Sequence, residues 1–303
     1  MEDAHQLKVW TGKDDEEVGF ACICDGHGDQ GHVAQFIAES LPYALMKTFK
    51  NDGIAELGQP KLAELLEKAC QETNEELKKK SLKGGTTATF ALLTASKIVV
   101  GNVGDSRTIL IQKGSTEKEG LTEAMSLLSI NESESFTVTA LSTDHTVQSE
   151  LGRLKEAGAA IKKDVYKNAK GEKVESYKID LGSDILAMSR SFGDYEFRKV
   201  GLIETPGVVV HERDFDRDAY LVLACDGVWD HMSNEDVGRM VIEQMATKSE
   251  INQETLTEVA EEIARNSMPS GDNISLMILS LKDKPTSVPV PDLIPVMPDA
   301  ESP

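Results

Sequence analysis

The chain has 303 residues, 52 acidic against 32 basic, and a formal charge of −20. A surface this acidic repels both a polyphosphate backbone and anionic lipid, so neither nucleic acid nor a membrane is an expected partner. At 40% hydrophobic and 28% charged residues the composition is globular, with length enough for one large domain or two ordinary ones.

Residues 1 to 13 carry no signal-like apolar stretch, and no segment reaches the roughly 18 uninterrupted apolar residues that span a bilayer. The expected home is intracellular, cytoplasmic or nuclear. Residues 19 to 24, Gly-Phe-Ala-Cys-Ile-Cys, read as a short buried strand that stops at Asp25-Gly26. Val33, Phe36, Ile37, Leu41 and Leu45, then Leu62, Leu65, Leu66, Ala69 and Leu77, recur at helical spacing and predict two helices. Residues 86–94, 98–103 and 108–112 are rich in β-branched residues and are punctuated by Ser96-Lys97 and Gly104-Asp105, the pattern of an antiparallel meander. Residues 113 to 140 form a polar excursion of no assigned function.

A helical pattern runs from Val147 to Ala157, and residues 160 to 191 predict short strands around a Lys-rich turn at Gly171. Residues 220 to 225 make the most apolar strand, and it too stops at Asp-Gly. Ser233 with Asp236 predicts a capped helix over 234–246, although the capping box prefers Glu or Gln at the later position. A helix over 254–266 and a strand over 274–281 follow. Past residue 284 the Pro-rich stretch reads as a tail without a core, giving a domain over 1–284 and a tail over 285–303. Strands outnumber crossover-sized helices and several links have hairpin length, so mainly antiparallel sheets are expected and a doubly wound dinucleotide fold is disfavoured. Cys22, Cys24, Cys70 and Cys225 are too irregularly placed for a disulfide framework and are expected as buried thiols.

The chemistry lies in the aspartates. Two apolar strands end alike, at Cys24-Asp25-Gly26-His27-Gly28 and at Cys225-Asp226-Gly227-Val228-Trp229-Asp230. A carboxylate at the end of a buried strand is partly desolvated, which is unfavourable unless it is paired or binds a cation. Asp272, in Ser270-Gly271-Asp272-Asn273, precedes a strand, and Asp105 stands at a turn. Carboxylates and a Gly carbonyl are hard oxygen ligands, which favours Mg²⁺ or Mn²⁺ over Zn²⁺.

In order along the chain stand Met1-Glu2-Asp3, Asp25-Gly26-His27-Gly28, Gly85-Thr86-Thr87-Ala88, Val103-Gly104-Asp105-Ser106-Arg107 and Leu141-Ser142-Thr143-Asp144-His145. Leu186 to Asp194 (Leu-Ala-Met-Ser-Arg-Ser-Phe-Gly-Asp), the 225–230 segment and the 270–273 segment complete the series. The series resembles the ordered motifs of the metal-dependent protein phosphatases of type 2C, over about residues 1 to 281.

The resemblance implies an α+β fold, a four-layer α/β/β/α sandwich of two mainly antiparallel sheets flanked by helices, with a Mg²⁺ or Mn²⁺ pair between the sheets. It implies that Asp25 bridges the metals, that Gly26 offers its carbonyl and that Asp226 and Asp272 complete the first metal, while Glu2 and Asp3 hold metal-bound waters. Asp105 and Asp230, with Asp226, match positions that bind a weaker third metal in some members. A bridging water activated by two cations about 3.5–4 Å apart attacks phosphoserine or phosphothreonine of a protein substrate, and His27 is the candidate acid for the leaving oxygen. Thr87 matches a position near the substrate.

The family's phosphate-binding Arg precedes the Glu-Asp motif by a few residues, with a first strand, and neither falls within this sequence. Arg190 and Arg198 are candidates to replace it, with structural contacts as the competing reading, and Asp29 stands where Gly is usual. A catalytically impaired scaffold is therefore the alternative to an active phosphatase, and a phosphatase of small phosphoesters is a third reading. Other chemistries fail on spacing. The residues six beyond the four cysteines are Gly28, Gln30, Glu76 and His231, not the Arg of a cysteine phosphatase. The Asp214-to-Asp218 run lacks the Gly and Glu of a Ca²⁺ loop, and no P-loop is present.

Overall fold

The structure, a computed structural model, describes residues 2–114, 135–167 and 173–281, without the side chains of Asp29, Tyr166 and Lys167. In chain order the strands are β1 (Ala4–Thr11), β2 (Glu17–Cys24), β3 (Gly26–His27), β4 (Gly85–Thr86), β5 (Ala88–Leu93), β6 (Lys97–Val103), β7 (Arg107–Lys113) and β8 (Phe136–Ala140). They continue as β9 (Ile161–Lys167), β10 (Lys173–Asp180), β11 (Ile185–Leu186), β12 (Phe192–Gly193), β13 (Gly207–Glu212), β14 (Asp218–Ala224) and β15 (Leu276–Ser280). The α-helices are α1 (His32–Thr48), α2 (Gln59–Lys79), α3 (Leu151–Glu156), α4 (Asp226–Trp229), α5 (Asn234–Ala246) and α6 (Gln253–Ser267).

Two sheets carry the fold, a five-stranded one ordered β1-β2-β5-β6-β13 and a four-stranded one ordered β15-β14-β7-β8. Their ladders are antiparallel throughout. Their strands alternate with period two but are apolar on both faces. On β2, Val18, Phe20, Cys22 and Cys24 pack with Ile37 and Leu41 of α1 and Leu62 and Leu66 of α2, while Ala21 and Ile23 meet Leu221 and Leu223 of the other sheet. On β14, Tyr220, Val222 and Ala224 pack with Val237 of α5 and Ile263 of α6. Each fully buried side chain of this kind contributes about 1.5–3 kcal/mol, so the sheets are held rigidly where their strands end.

The predicted helices over 33–45, 62–77, 234–246 and 254–266 are α1, α2, α5 and α6. Ser233 Oγ accepts the Asp236 N–H at 3.1 Å in a full capping box. All four cysteines are free and buried.

Four expectations change. A strand, β1, precedes residue 19 and pairs with β2 from Ala4 opposite Cys24 to Thr11 opposite Glu17. It lies at the sheet's edge and most of it is only half-buried, so Gln6 and Lys8 interrupt the apolar signal. The meander is broken, because β6 and β7 belong to different sheets; Gly104, at φ 102°, turns the chain between them. Strands apolar on both faces give no sign of which sheet they join. The end of the polar excursion is β8, and only Leu151–Glu156 of the 147–157 pattern is α-helical. The rest of the excursion at 115–134, the turn at Gly171 and the Pro-rich tail lie outside the described residues.

Among the described residues no strand covers the outer edge of β1 or of β15. Residues of both strands and of α6 line a groove of about 520 Å³. No helix among the described residues is long and apolar enough to cross a membrane.

Candidate metal centre and active site

β2 delivers Asp25 and β14 delivers Asp226 to the same end of the sandwich. The glycine after each is required by close approach rather than by a turn. A Cβ on Gly26 would stand 2.1 Å from the Glu2 carbonyl oxygen, and one on Gly227 would stand 2.2 Å from that of Asn273. Each Asp-Gly thus seats a second acidic segment against its own backbone. The two seated segments are themselves joined: the Glu2 N–H donates to Asn273 Oδ1 at 3.1 Å, and Ser275 Oγ donates to Asp3 Oδ2 at 2.7 Å.

The Asp25 peptide is fixed on both sides. Its carbonyl accepts the Thr87 N–H at 2.9 Å and the Thr86 hydroxyl at 2.8 Å, and its N–H donates to Thr87 Oγ1 at 3.2 Å. Thr87 Oγ1 also lies 2.7 Å from Ser106 Oγ, beside Asp105. Thr87 is fully buried, and its hydroxyl meets the Asp25 N–H and Ser106 Oγ.

Ligand atoms of Asp25, Cys225 and Asp226 lie within 4.8 Å of one another. Crowding like charges in a partly dry place disfavours ionisation. Burial, then Asp226 and Asp3, push the Asp25 carboxyl up to about 10. Burial and then Asp226 push Asp105 up to about 7 and Asp230 up to about 6. Asp3 and Asp226 are raised in the same way, by burial first. Asp272 is exposed at the rim, its Oδ1 accepting the Asn273 N–H at 2.7 Å, and its charge is felt at Asp3, Asp226 and Asp230.

The set fits hard divalent cations. Oδ1 of Asp3, of Asp105 and of Asp226 is buried with no hydrogen-bond partner. An acceptor-only oxygen left in that state is unfavourable by a few kcal/mol unless a cation meets it. Cys225, which the sequence reading kept apart from the site, sits among these oxygens. Burial, then Asp25 and Asp3, hold its thiol well above the ordinary range. It donates to the Asn273 carbonyl at 3.4 Å and accepts the Ser275 N–H at 3.1 Å.

His27 follows Gly26, and its Nε2 lies 2.8 Å and 3.0 Å from the two oxygens of Asp194. Burial lowers the imidazole, but the bond to Asp194 and the Asp194 charge outweigh it and raise the group. Neither substitute arginine is brought to the cluster. Arg190 donates to both oxygens of Glu150 and to the Thr205 carbonyl, and Arg198 donates to Glu204 and to the carbonyls of Ser191 and Gly193. The sequence offers no role for Asp194, Asn273 and Ser275, because no spacing signals a side chain that holds a residue distant in the chain.

Residues 1–273 match Protein phosphatase 2C. The chain belongs to this family. It is 28% identical to Protein phosphatase 2C homolog 2 of Saccharomyces cerevisiae, over 93% of this chain and 55% of the yeast protein. It is 29% identical to Probable protein phosphatase 2C 61 of Arabidopsis thaliana, over 89% of this chain and 77% of that one. The 2C chain described here thus spans little more than half the length of the yeast relative. Among solved structures, a serine-threonine phosphatase 2C from Toxoplasma gondii shares the fold at TM-score 0.61 and 16% identity, over 92% of this chain and 94% of that one.

Proposed function

We propose that this 2C chain is a Mg²⁺- or Mn²⁺-dependent protein serine/threonine phosphatase that hydrolyses phosphoserine and phosphothreonine in protein substrates. Family membership supports the reaction class, and the four-layer α/β/β/α arrangement supplies the sheet ends from which the ligands project. The observation that carries the reading is the convergence of Asp3, Asp25, Asp105 and Asp226 with three buried, unpartnered carboxylate oxygens. Asp25, the Gly26 carbonyl, Asp226 and Asp272 would hold two cations, Glu2 and Asp3 their waters, and Asp105 and Asp230 with Asp226 a weaker third. Bound cations supply an activated water and offset the phosphate charge.

The chain's own groups do the rest. A phosphate dianion is repelled by a carboxylate cluster, so the same residues that attract cations exclude substrate until the cations are present. His27, whose protonated form Asp194 favours, donates to the Ser or Thr oxygen as the P–O bond breaks.

The test is phosphate release from a phosphothreonine peptide with Mn²⁺ or with EDTA, by the native chain, Asp25→Asn and Asp226→Asn. Release only with Mn²⁺, lost in both variants with the fold retained, is expected. Release that survives EDTA or either substitution would sink the reading, and a folded native chain that releases nothing would be a scaffold. A higher kcat/KM on small phosphoesters than on phosphopeptides would reassign the substrate.

A further inference from the structure

A very small three-stranded sheet carries His27 on its edge strand. In the order β12-β4-β3, Gly85 of β4 stands opposite His27 on one side and Gly193 on the other. Asp194 follows Gly193, and its carboxylate passes over Gly85 to reach the His27 ring. A Cβ on Gly85 would lie 2.0 Å from Asp194 Oδ2, and one on Gly84 would lie 2.1 Å from the His27 carbonyl oxygen. Only this Gly-Gly pair admits the contact.

The backbone is bent to make it. Gly193 has φ 76° and Asp194 has φ 45°, a left-handed conformation that a non-glycine residue adopts at a cost. Several groups hold the bend: the Asp194 N–H donates to the Gly84 carbonyl at 2.9 Å, the Gly193 N–H donates to Asn74 Oδ1 at 2.9 Å, and Arg198 grips the carbonyls of Ser191 and Gly193. Asp194 is 4% exposed, and Ser191 Oγ donates to its Oδ2 at 2.6 Å. Its carboxylate therefore has one fixed orientation, facing Nε2.

We propose that Asp194 is a positioning residue that fixes the ring and tautomer of His27, so that Nδ1 presents the proton to the leaving oxygen. The inference rests on the phosphatase reading above. When the P–O bond to the Ser or Thr oxygen breaks, its electron pair takes the Nδ1 proton, and the alcohol leaves neutral. The imidazole left behind carries its proton on Nε2, the one tautomer that Asp194 accepts from. In Asp194→Asn the carbonyl keeps the Ser191 hydroxyl and the amide NH₂ faces Nε2, so that tautomer loses its partner.

The experiment compares kcat of the native chain, Asp194→Asn and His27→Gln, with Mn²⁺, on a phosphothreonine peptide and on p-nitrophenyl phosphate, whose weakly basic leaving group needs no acid. Both variants are expected to lose about 10- to 100-fold on the peptide and to stay within about threefold on the aryl ester. Equal loss on both substrates, or none, would overturn the positioning role while leaving the phosphatase reading intact. A native chain inactive on both would remove both. A second measurement does not depend on how Asp194→Asn folds: in ¹⁵N-labelled native protein with Mg²⁺, His27, assigned by its absence in His27→Gln, should show its neutral ring protonated at Nε2. A neutral ring protonated at Nδ1 would refute the proposal.

Discussion

Asp25→Asn removes one buried ionisable carboxyl and, on the proposed reading, one metal ligand, and its effect on stability has a definite sign. Without cations the Asp25 carboxyl is pushed up to about 10 in the folded chain, by burial first and then by Asp226 and Asp3, against an ordinary 3.8. Below the lower value both states are protonated and no penalty applies. Between the two values the folded state holds a proton that the unfolded state has released, so stability falls as pH rises, by about 1.4 kcal/mol per unit for one group. From pH 5 to 8 that is about 4 kcal/mol, and Asp105, pushed up to about 7, acts in the same direction up to neutrality. A domain of this size shifts by about 2–4 °C per kcal/mol, so the melting temperature in EDTA should drop by roughly 10 °C over that range. Mg²⁺ at about 100 times its Kd should restore about 2.7 kcal/mol. The Asn variant has no such proton to hold, so its decline with pH should be at most about half as steep as the native one and its response to Mg²⁺ largely gone. Thermal melts at four pH values, with EDTA or Mg²⁺, check both. A native melting temperature in EDTA that is flat or rises with pH, or an Asn variant stabilised by Mg²⁺ as much as the native chain, would refute the account of the cluster.

Gly26→Ala and Gly227→Ala should each destabilise the fold by about 1–3 kcal/mol, because the added methyl meets backbone oxygen at 2.1 Å and 2.2 Å; urea unfolding reads this, and an unchanged midpoint would mean that the close approach is not needed. Arg190→Ala leaves Glu150, whose carboxyl Arg190 and Arg153 hold down to about 2 against the opposing effect of burial, with only Arg153 and Ser189 as partners among the described residues, and should lower stability by about 1.5–3 kcal/mol with phosphopeptide KM unchanged. A raised KM with an unchanged melting temperature would instead put Arg190 at the substrate. Cys225 should stay a thiol in the folded chain, so iodoacetamide labels it only on unfolding and Co²⁺ produces no thiolate charge-transfer band; such a band would make the site a softer one than its oxygens imply.

The chain showed its site more openly than its sheets. Asp25 and Asp226 were legible because each interrupts an apolar strand where a charge is unfavourable, and the coincidence of two such interruptions is visible without coordinates in space. β1 was not legible, since an edge strand buries one face and reads like a loop. The passage from β6 to β7 reads as a hairpin because a corner between sheets and a hairpin within one have the same turn residues. The part played by Gly26 was legible only as a turn, whereas its lack of a side chain answers to Glu2, far away in no other sense than sequence. Asp194 belonged to a recognisable motif, but its partner is 167 positions away, and nothing in one sequence links them.

The arginines decide what the acidic cluster is for. Arg107 pairs with Asp144, Arg190 with Glu150 and Arg198 with Glu204. Each comes from a motif that also holds site residues or borders on one, yet each has its own acid. A buried carboxylate supplied with an arginine is a structural ion pair, satisfied when the chain folds. Asp3, Asp105 and Asp226 instead keep a buried oxygen without a partner, in a chain whose charge is already −20. Their repulsion is relieved only by protons or by cations from solution, and at neutral pH protons relieve it at a steadily rising cost in stability. The arrangement therefore favours metal loading for the same reason that it weakens the metal-free fold, which is why the pH dependence in EDTA and the response to Mg²⁺ must change together in Asp25→Asn.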